Sequence, residues 1–152
     1  MDINGKNQGE IAKARGMLQA QQAKLQQIRA AMQETKSEML DLDMRHHDLR
    51  ATGDINRMMA IKSRSIALNK SVAGLNTSEA ECLQRIESMK RYLETLTRKL
   101  ESLRHEATRL AEEIAAGGVA PDVKATLQSL ASRVKMQIEG LEGKRRSGPI
   151  KL

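Results

Sequence analysis

Histidines, a lone cysteine, neighbouring carboxylates and clustered cations are the side chains from which this chain would have to build a chemical site. Arg45, His46, His47, Asp48 and Arg50 stand together, and a His–Asp neighbourhood is what acid–base chemistry or a metal would use. No second group of His, Cys or carboxylate residues stands at ligand spacing, and the HExxH, CxxC and GxxxxGKS/T patterns are absent. His46 is read instead as a polar residue of a helix seam, and its neighbours as a solvated helix end. His105 is alone at an outward position. Cys82, the single cysteine, lies between apolar residues with no histidine near it in sequence, so the expectation is a buried, unreactive thiol.

The carboxylate pairs Glu112-Glu113 and Asp41/Asp43 fall on long amphipathic stretches. Catalysis needs a concave pocket that excludes water, and thin helical architecture supplies none. No enzyme activity, cofactor or metal is expected. Lys144, Arg145 and Arg146 are candidate contacts to phosphate or to an acidic partner. Residues 117–152 carry seven Lys/Arg against three Asp/Glu, more than half of the net +7. A nucleic-acid sheath would instead show a basic stripe along its helices. Phe and Trp are absent and Tyr92 is the single aromatic residue, so there are no bases-on-rings platforms. Nucleic acid is therefore possible chemistry for the tail but not the favoured partner.

The elements that must carry these residues are read from periodicity. From Met58 to Ile114, positions alternately three and four apart read Met58, Ile61, Ser65, Leu68, Val72, Leu75, Glu79, Cys82, Ile86, Met89, Leu93, Leu96, Leu100, Leu103, Ala107, Leu110 and Ile114. A period of 3.5 marks helices that supercoil against partners. A second seam runs Ile11, Ala14, Leu18, Gln21, Leu25, Ile28, Met32, Thr35, Met39, Leu42, His46, Leu49. The two are out of phase, and the break falls on Ala51-Thr52-Gly53-Asp54, where Gly53 can turn left-handed and Asp54 can cap a new helix. Gly117-Gly118-Val119-Ala120-Pro121-Asp122 is a second turn, with Pro121 suited to a first helical turn. Val123, Leu127, Leu130, Val134, Ile138 and Leu141 are the expected apolar face of the third helix. Gly74 to Glu79 is a place where the second helix could bend, with Thr77 or Ser78 as a fresh cap; the unbroken seam favours continuity.

These readings predict helices over about 9–50, 54–116 and 121–143, forming a helical coiled-coil domain over 9–143, with a disordered N-terminus (1–8) and a flexible basic tail (144–152). The fold class is all-α: an elongated antiparallel helical hairpin or coiled-coil bundle, its long central helix flanked by two antiparallel arms. Helix lengths put Ile11 and Leu141 both near Leu93–Leu100. No apolar run approaches the ~20 residues of a bilayer span. With one cysteine and a polar start to the chain, a cytoplasmic or virion-internal location without membrane attachment is the expectation.

The function expected is that of a non-enzymatic scaffold, spacer or adaptor in a larger assembly. Its seams would bind a second copy or a partner helix through Ile86, Met89, Leu93, Leu96, Leu100, Leu103 and Leu110, with Arg85, Lys90, Lys99 and Arg104 as specifying flankers. Met17, Leu40, Met44, Met59, Leu83 and Met136, outside the seams, hint at a further surface. The alternatives are nucleic-acid association through the tail, a secretion-apparatus stalk, or a virion structural component. In length, Gln/Arg richness and hairpin pattern the chain is similar to the stalk proteins of type III secretion and flagellar export, which insert a two-helix coiled coil into a hexameric ATPase. Its Gly-Gly loop and flanking helices also look like coiled-coil segments of filament and cell-envelope-associated proteins. No motif carries either similarity, and membership of neither family is inferred.

Overall fold

The computed structural model describes residues 9–143. The expected disordered N-terminus (1–8) and basic tail (144–152), with Lys144, Arg145 and Arg146, lie outside the described residues. Among the described residues there are three helices and no strand: α1 Glu10–Arg50, α2 Ile55–Ala116 and α3 Pro121–Glu142. The protein is all-α.

Each break between helices has a local cause. At the first, Gly53 takes φ +70°, and the N–H groups of Thr52 and Gly53 donate to the Leu49 carbonyl at 3.0 and 3.1 Å. Asp54 then caps α2, its Oδ1 accepting the Arg57 N–H at 3.2 Å. At the second, Gly117 and Gly118 have φ +70° and +76°, a backbone that a β-carbon would strain. Pro121 opens α3 behind an extended Ala120. Gly74 does not interrupt α2. The Thr77 hydroxyl donates to the Ala73 carbonyl one turn back at 3.2 Å, so it bonds within the helix and starts no new one.

The chain divides into two compact units, and α1 and α2 each contribute to both. Unit 1 comprises residues 9–18 and 88–143 of the described chain. Its core gathers Ile11 and Ala14 from α1, Leu96 and Leu100 from α2 and Leu141 from α3, with Leu93, Leu103 and Ile138 packed against them. The helix lengths pointed to this same neighbourhood. Leu110 is the most buried large side chain, 1% exposed. Gly9 is buried against the end of α3, where a β-carbon would sit 2.2 Å from the Leu141 carbonyl oxygen and 2.4 Å from the Gly143 nitrogen.

One sequence reading of α3 is corrected here. Val123 and Leu130 are exposed, at 46% and 38%. The row turned inward is Leu127, Ala131, Val134, Ile138 and Leu141, spaced four and three apart. Ala131 takes the place expected for Leu130, and Val123 falls outside the covered stretch.

Unit 2 comprises residues 19–87, one length of α1 and one of α2. Leu25, Ile28, Met32 and Leu42 of α1 are buried, as are Leu68, Cys82 and Ile86 of α2. Cys82 touches Gln21, Arg29 pairs with Glu79, and Glu38 pairs with Arg64.

Candidate interaction surface

The seams set which side chains are available to a partner. Every member from Ile11 to Leu49 and from Met58 to Ile114 is buried or half-buried, while almost every residue between them is exposed. The seven residues expected to form an interface follow this rule. Ile86, Leu96, Leu100 and Leu110 are buried, and Met89, Leu93 and Leu103 are half-buried. Leu96 and Leu100 are covered within the chain by Ile11, Ala14 and Leu141. Of the flankers, Arg85 pairs with Glu81 at 3.5 Å, and Arg104 pairs with Glu142 across unit 1.

The polar seam residues enter unit 2 with partners. Cys82, wholly buried, donates its thiol hydrogen toward the Gln21 carbonyl at 3.3 Å, with the Gln21 amide oxygen at 3.6 Å. Glu79 accepts from Arg29 Nε at 3.0 Å. The Thr35 hydroxyl donates to the Ala31 carbonyl at 2.8 Å. Among the described residues no buried side-chain N or O lacks a hydrogen-bond partner. This is how a polar seam avoids the cost of unmet polar groups.

The residues first weighed for chemistry do not converge. His46 is half-buried on the seam, and Arg45, His47, Asp48 and Arg50 are exposed. Arg45 turns to Asp41 at 3.2 Å, which also occupies one of the Asp41/Asp43 pair. Glu113 is held by Arg109 at 2.6 Å. Among the described residues no three His, Cys, Asp or Glu side chains gather as a metal site. A shallow groove of about 440 Å³ lies between the helices of unit 2, lined by Arg45, Asp48, Leu49, Arg57, Ala60 and Ile61. Its arginines are already engaged, Arg45 by Asp41 and Arg57 by Asp54 at 3.4 Å.

A different surface emerges when heptad letters are assigned, with a and d for the seam. Glu38 and Arg64 are both g positions and pair at 2.9 Å, so the g sides of the two helices lie together. In a coiled-coil pairing their e and b sides would share the opposite flank. That flank carries Leu40 (b), Met44 (f), Ile55 (e), Met59 (b) and Ile66 (b), exposed by 65, 63, 68, 63 and 52%. Reading the seams alone pointed to Leu40, Met44 and Met59 but missed Ile55 and Ile66. The signal that finds them is the e and b spacing, 4 and then 7, along α2. No helix of the described residues is long and apolar enough to cross a membrane.

Comparison with protein-family models, with curated proteins and with solved structures finds no match to this chain.

Proposed function

We propose that this chain is a non-enzymatic interaction protein in which α1 and α3 run antiparallel to α2 as coiled-coil arms. It acts as a scaffold, spacer or adaptor in a larger assembly, alone or as a homo-oligomer. The observation that carries the reading is the burial pattern: unbroken 3–4 seams are covered and the surfaces between them are open. The contacts Gln21–Cys82, Arg29–Glu79 and Glu38–Arg64 support the antiparallel arrangement. As the number on α1 rises, its partner's number on α2 falls, as it does for helices folded back at Gly53.

The test is Leu96→Asp. A carboxylate in the cluster of Ile11, Leu100 and Leu141 would cost several kcal/mol without a partner. The expected outcome is loss of helix by far-UV circular dichroism together with loss of any self- or partner association by light scattering and pull-down. A variant that stays fully helical and assembled refutes the reading.

The alternative is association with nucleic acid through Lys144, Arg145 and Arg146, favoured by the seven Lys/Arg against three Asp/Glu in residues 117–152. Deleting residues 144–152 should then remove salt-sensitive binding of DNA or RNA, and an intact protein that binds neither at low salt ends this alternative.

A further inference from the structure

The charges of unit 2 are sorted between its two flanks. At the g and c positions acids and bases balance: Lys24, Arg45, Arg57, Arg64 and Arg85 stand against Glu34, Glu38, Asp41, Asp48 and Glu81, with Glu38–Arg64, Asp41–Arg45 and Glu81–Arg85 paired. The e, b and f flank differs. Lys36, Arg50, Lys62 and Lys70 are exposed there, and none is in an ion pair among the described residues. Asp43 and Glu87 are its acids. The exposed row of Leu40, Met44, Ile55, Met59 and Ile66 lies among those cations. One flank is thus balanced in charge, and the other presents apolar side chains edged with net positive charge.

We infer that this flank of unit 2, centred on Met59 and Ile66, is a docking groove for an acidic amphipathic helix of a partner protein. The inference rests on the proposed function and names the surface and the partner class it implies. Charge complementarity selects this occupant. A second copy laying the same flank on this one would oppose lysines to lysines. A bilayer surface is usually gripped by bulky aromatic and aliphatic anchors together, and this flank has no aromatic residue.

Geometry agrees. The e and b positions of two paired helices border the groove where a third helix packs, at an axial separation of about 8–10 Å. Ile55 to Ile66 is about three turns, roughly 16 Å at 1.5 Å per residue. An occupant of three or four turns would cover the row. Its apolar face would bury Met59 and Ile66, and its carboxylates would meet Lys36, Lys62 and Lys70. Met side chains suit such a site because they adapt to partners of different shape.

The experiment uses the full chain and a fluorescein-labelled peptide of about three heptads, with Leu at a, d and e and Glu elsewhere. A second peptide has Lys in place of every Glu, and vesicles of phosphatidylserine serve as the lipid probe. Binding is read by anisotropy for the peptides and by co-sedimentation for the vesicles. The expected result is binding of the acidic peptide that weakens as salt rises. Met59→Ser with Ile66→Ser, and separately Lys62→Glu, should each weaken it about tenfold or more, a loss of about 1.4 kcal/mol, with helicity unchanged. Met136→Ser, an exposed change in unit 1, should leave binding as it was. The inference is overturned if the acidic peptide does not bind, if the two peptides bind alike, if the variants bind like the parent, or if the vesicles are held more tightly than the peptide. None of those results touches the helix pairing tested by Leu96→Asp, so the two readings fail separately.

Discussion

Units 1 and 2 are built on the same seam rule and fill it differently. In unit 1 the seam is apolar throughout: Ile11, Ala14 and Leu18 on α1, then Met89, Leu93, Leu96, Leu100, Leu103, Ala107, Leu110 and Ile114 on α2. Every polar member, Gln21, Thr35, His46, Ser65 and Glu79, falls in unit 2. Unit 1 also draws on a third helix, and its core cluster joins residues from all three. Unit 2 has two helix lengths, each bringing one seam. The difference separates two tasks. Apolar layers supply burial, at about 25 cal/mol per Å². Polar layers supply little of that but penalise a slipped register, because Gln21 must meet Cys82 and Arg29 must meet Glu79.

The largest expected effect breaks the stronger unit. Leu110→Ala removes the most buried large side chain and should cost about 2–5 kcal/mol through lost transfer energy and the cavity left behind. Segment-resolved hydrogen exchange should then quicken in the residues around Leu110 and Val134 more than around Leu25 and Leu68. Equal quickening in both units would show that they do not differ as described.

Gly9→Ala comes next. Its β-carbon would meet backbone atoms at 2.2 and 2.4 Å, and backbone cannot move aside as a side-chain tip can. A cost of about 1–3 kcal/mol is expected, read as a lower thermal midpoint with faster exchange at the start of α1. An unchanged midpoint would mean that this contact contributes nothing to unit 1.

These two positions also show what could be read from sequence. The all-α class, the three helices and their breaks were legible because each rests on a local rule: a 3.5 period, a glycine with φ near +70°, an Asp cap, a Pro in the first turn. Gly9 had no such signal, since its constraint comes from Leu141, far along the chain. Val123 and Leu130 were misplaced because α3 offers two apolar rows that share Leu127, Val134, Ile138 and Leu141. Only tertiary packing selects the row containing Ala131, which is too small to announce itself. The exposed apolar flank of unit 2 was half legible. Leu40, Met44 and Met59 stood outside the seam, but the sorting of charge needed both helices placed side by side by the Glu38–Arg64 pair.

Gln21→Leu sharpens the comparison from the other side by making unit 2 more like unit 1. Gln21 is half-buried and its amide oxygen stands 3.6 Å from the Cys82 sulfur, a weak partner. Leucine would add apolar burial while the backbone carbonyl at 3.3 Å stays in place. A gain of about 1 kcal/mol is expected, seen as a higher thermal midpoint and slower exchange across Leu25 and Leu68. A loss of stability would instead show that the Gln21 amide is needed to seat the thiol.

The smallest effect is electrostatic and tests whether surface pairs add to the advantage of unit 1. Arg109 bonds Glu106 at 2.5 Å and Glu113 at 2.6 Å. The hydrogen bond from Arg109 outweighs the opposing desolvation and, with the charge of Arg109, holds the Glu106 carboxyl below the usual carboxylate range. Arg109 is correspondingly raised. A carboxylate with a lowered folded pKa stabilises at pH values above its ordinary pKa, and that contribution disappears as pH falls through the folded value. Both side chains remain open to solvent, and exposed pairs are weak and screened. Glu106→Gln should therefore lower the thermal midpoint slightly at neutral pH and low salt, with Glu113 still holding Arg109. Parent and variant should converge once the pH is below the folded pKa of Glu106, and also at molar salt, where the Debye length shrinks to about 3 Å. A difference that persists unchanged under both conditions would mean that Glu106 acts through packing rather than charge, and unit 1 would owe nothing to its surface charges there.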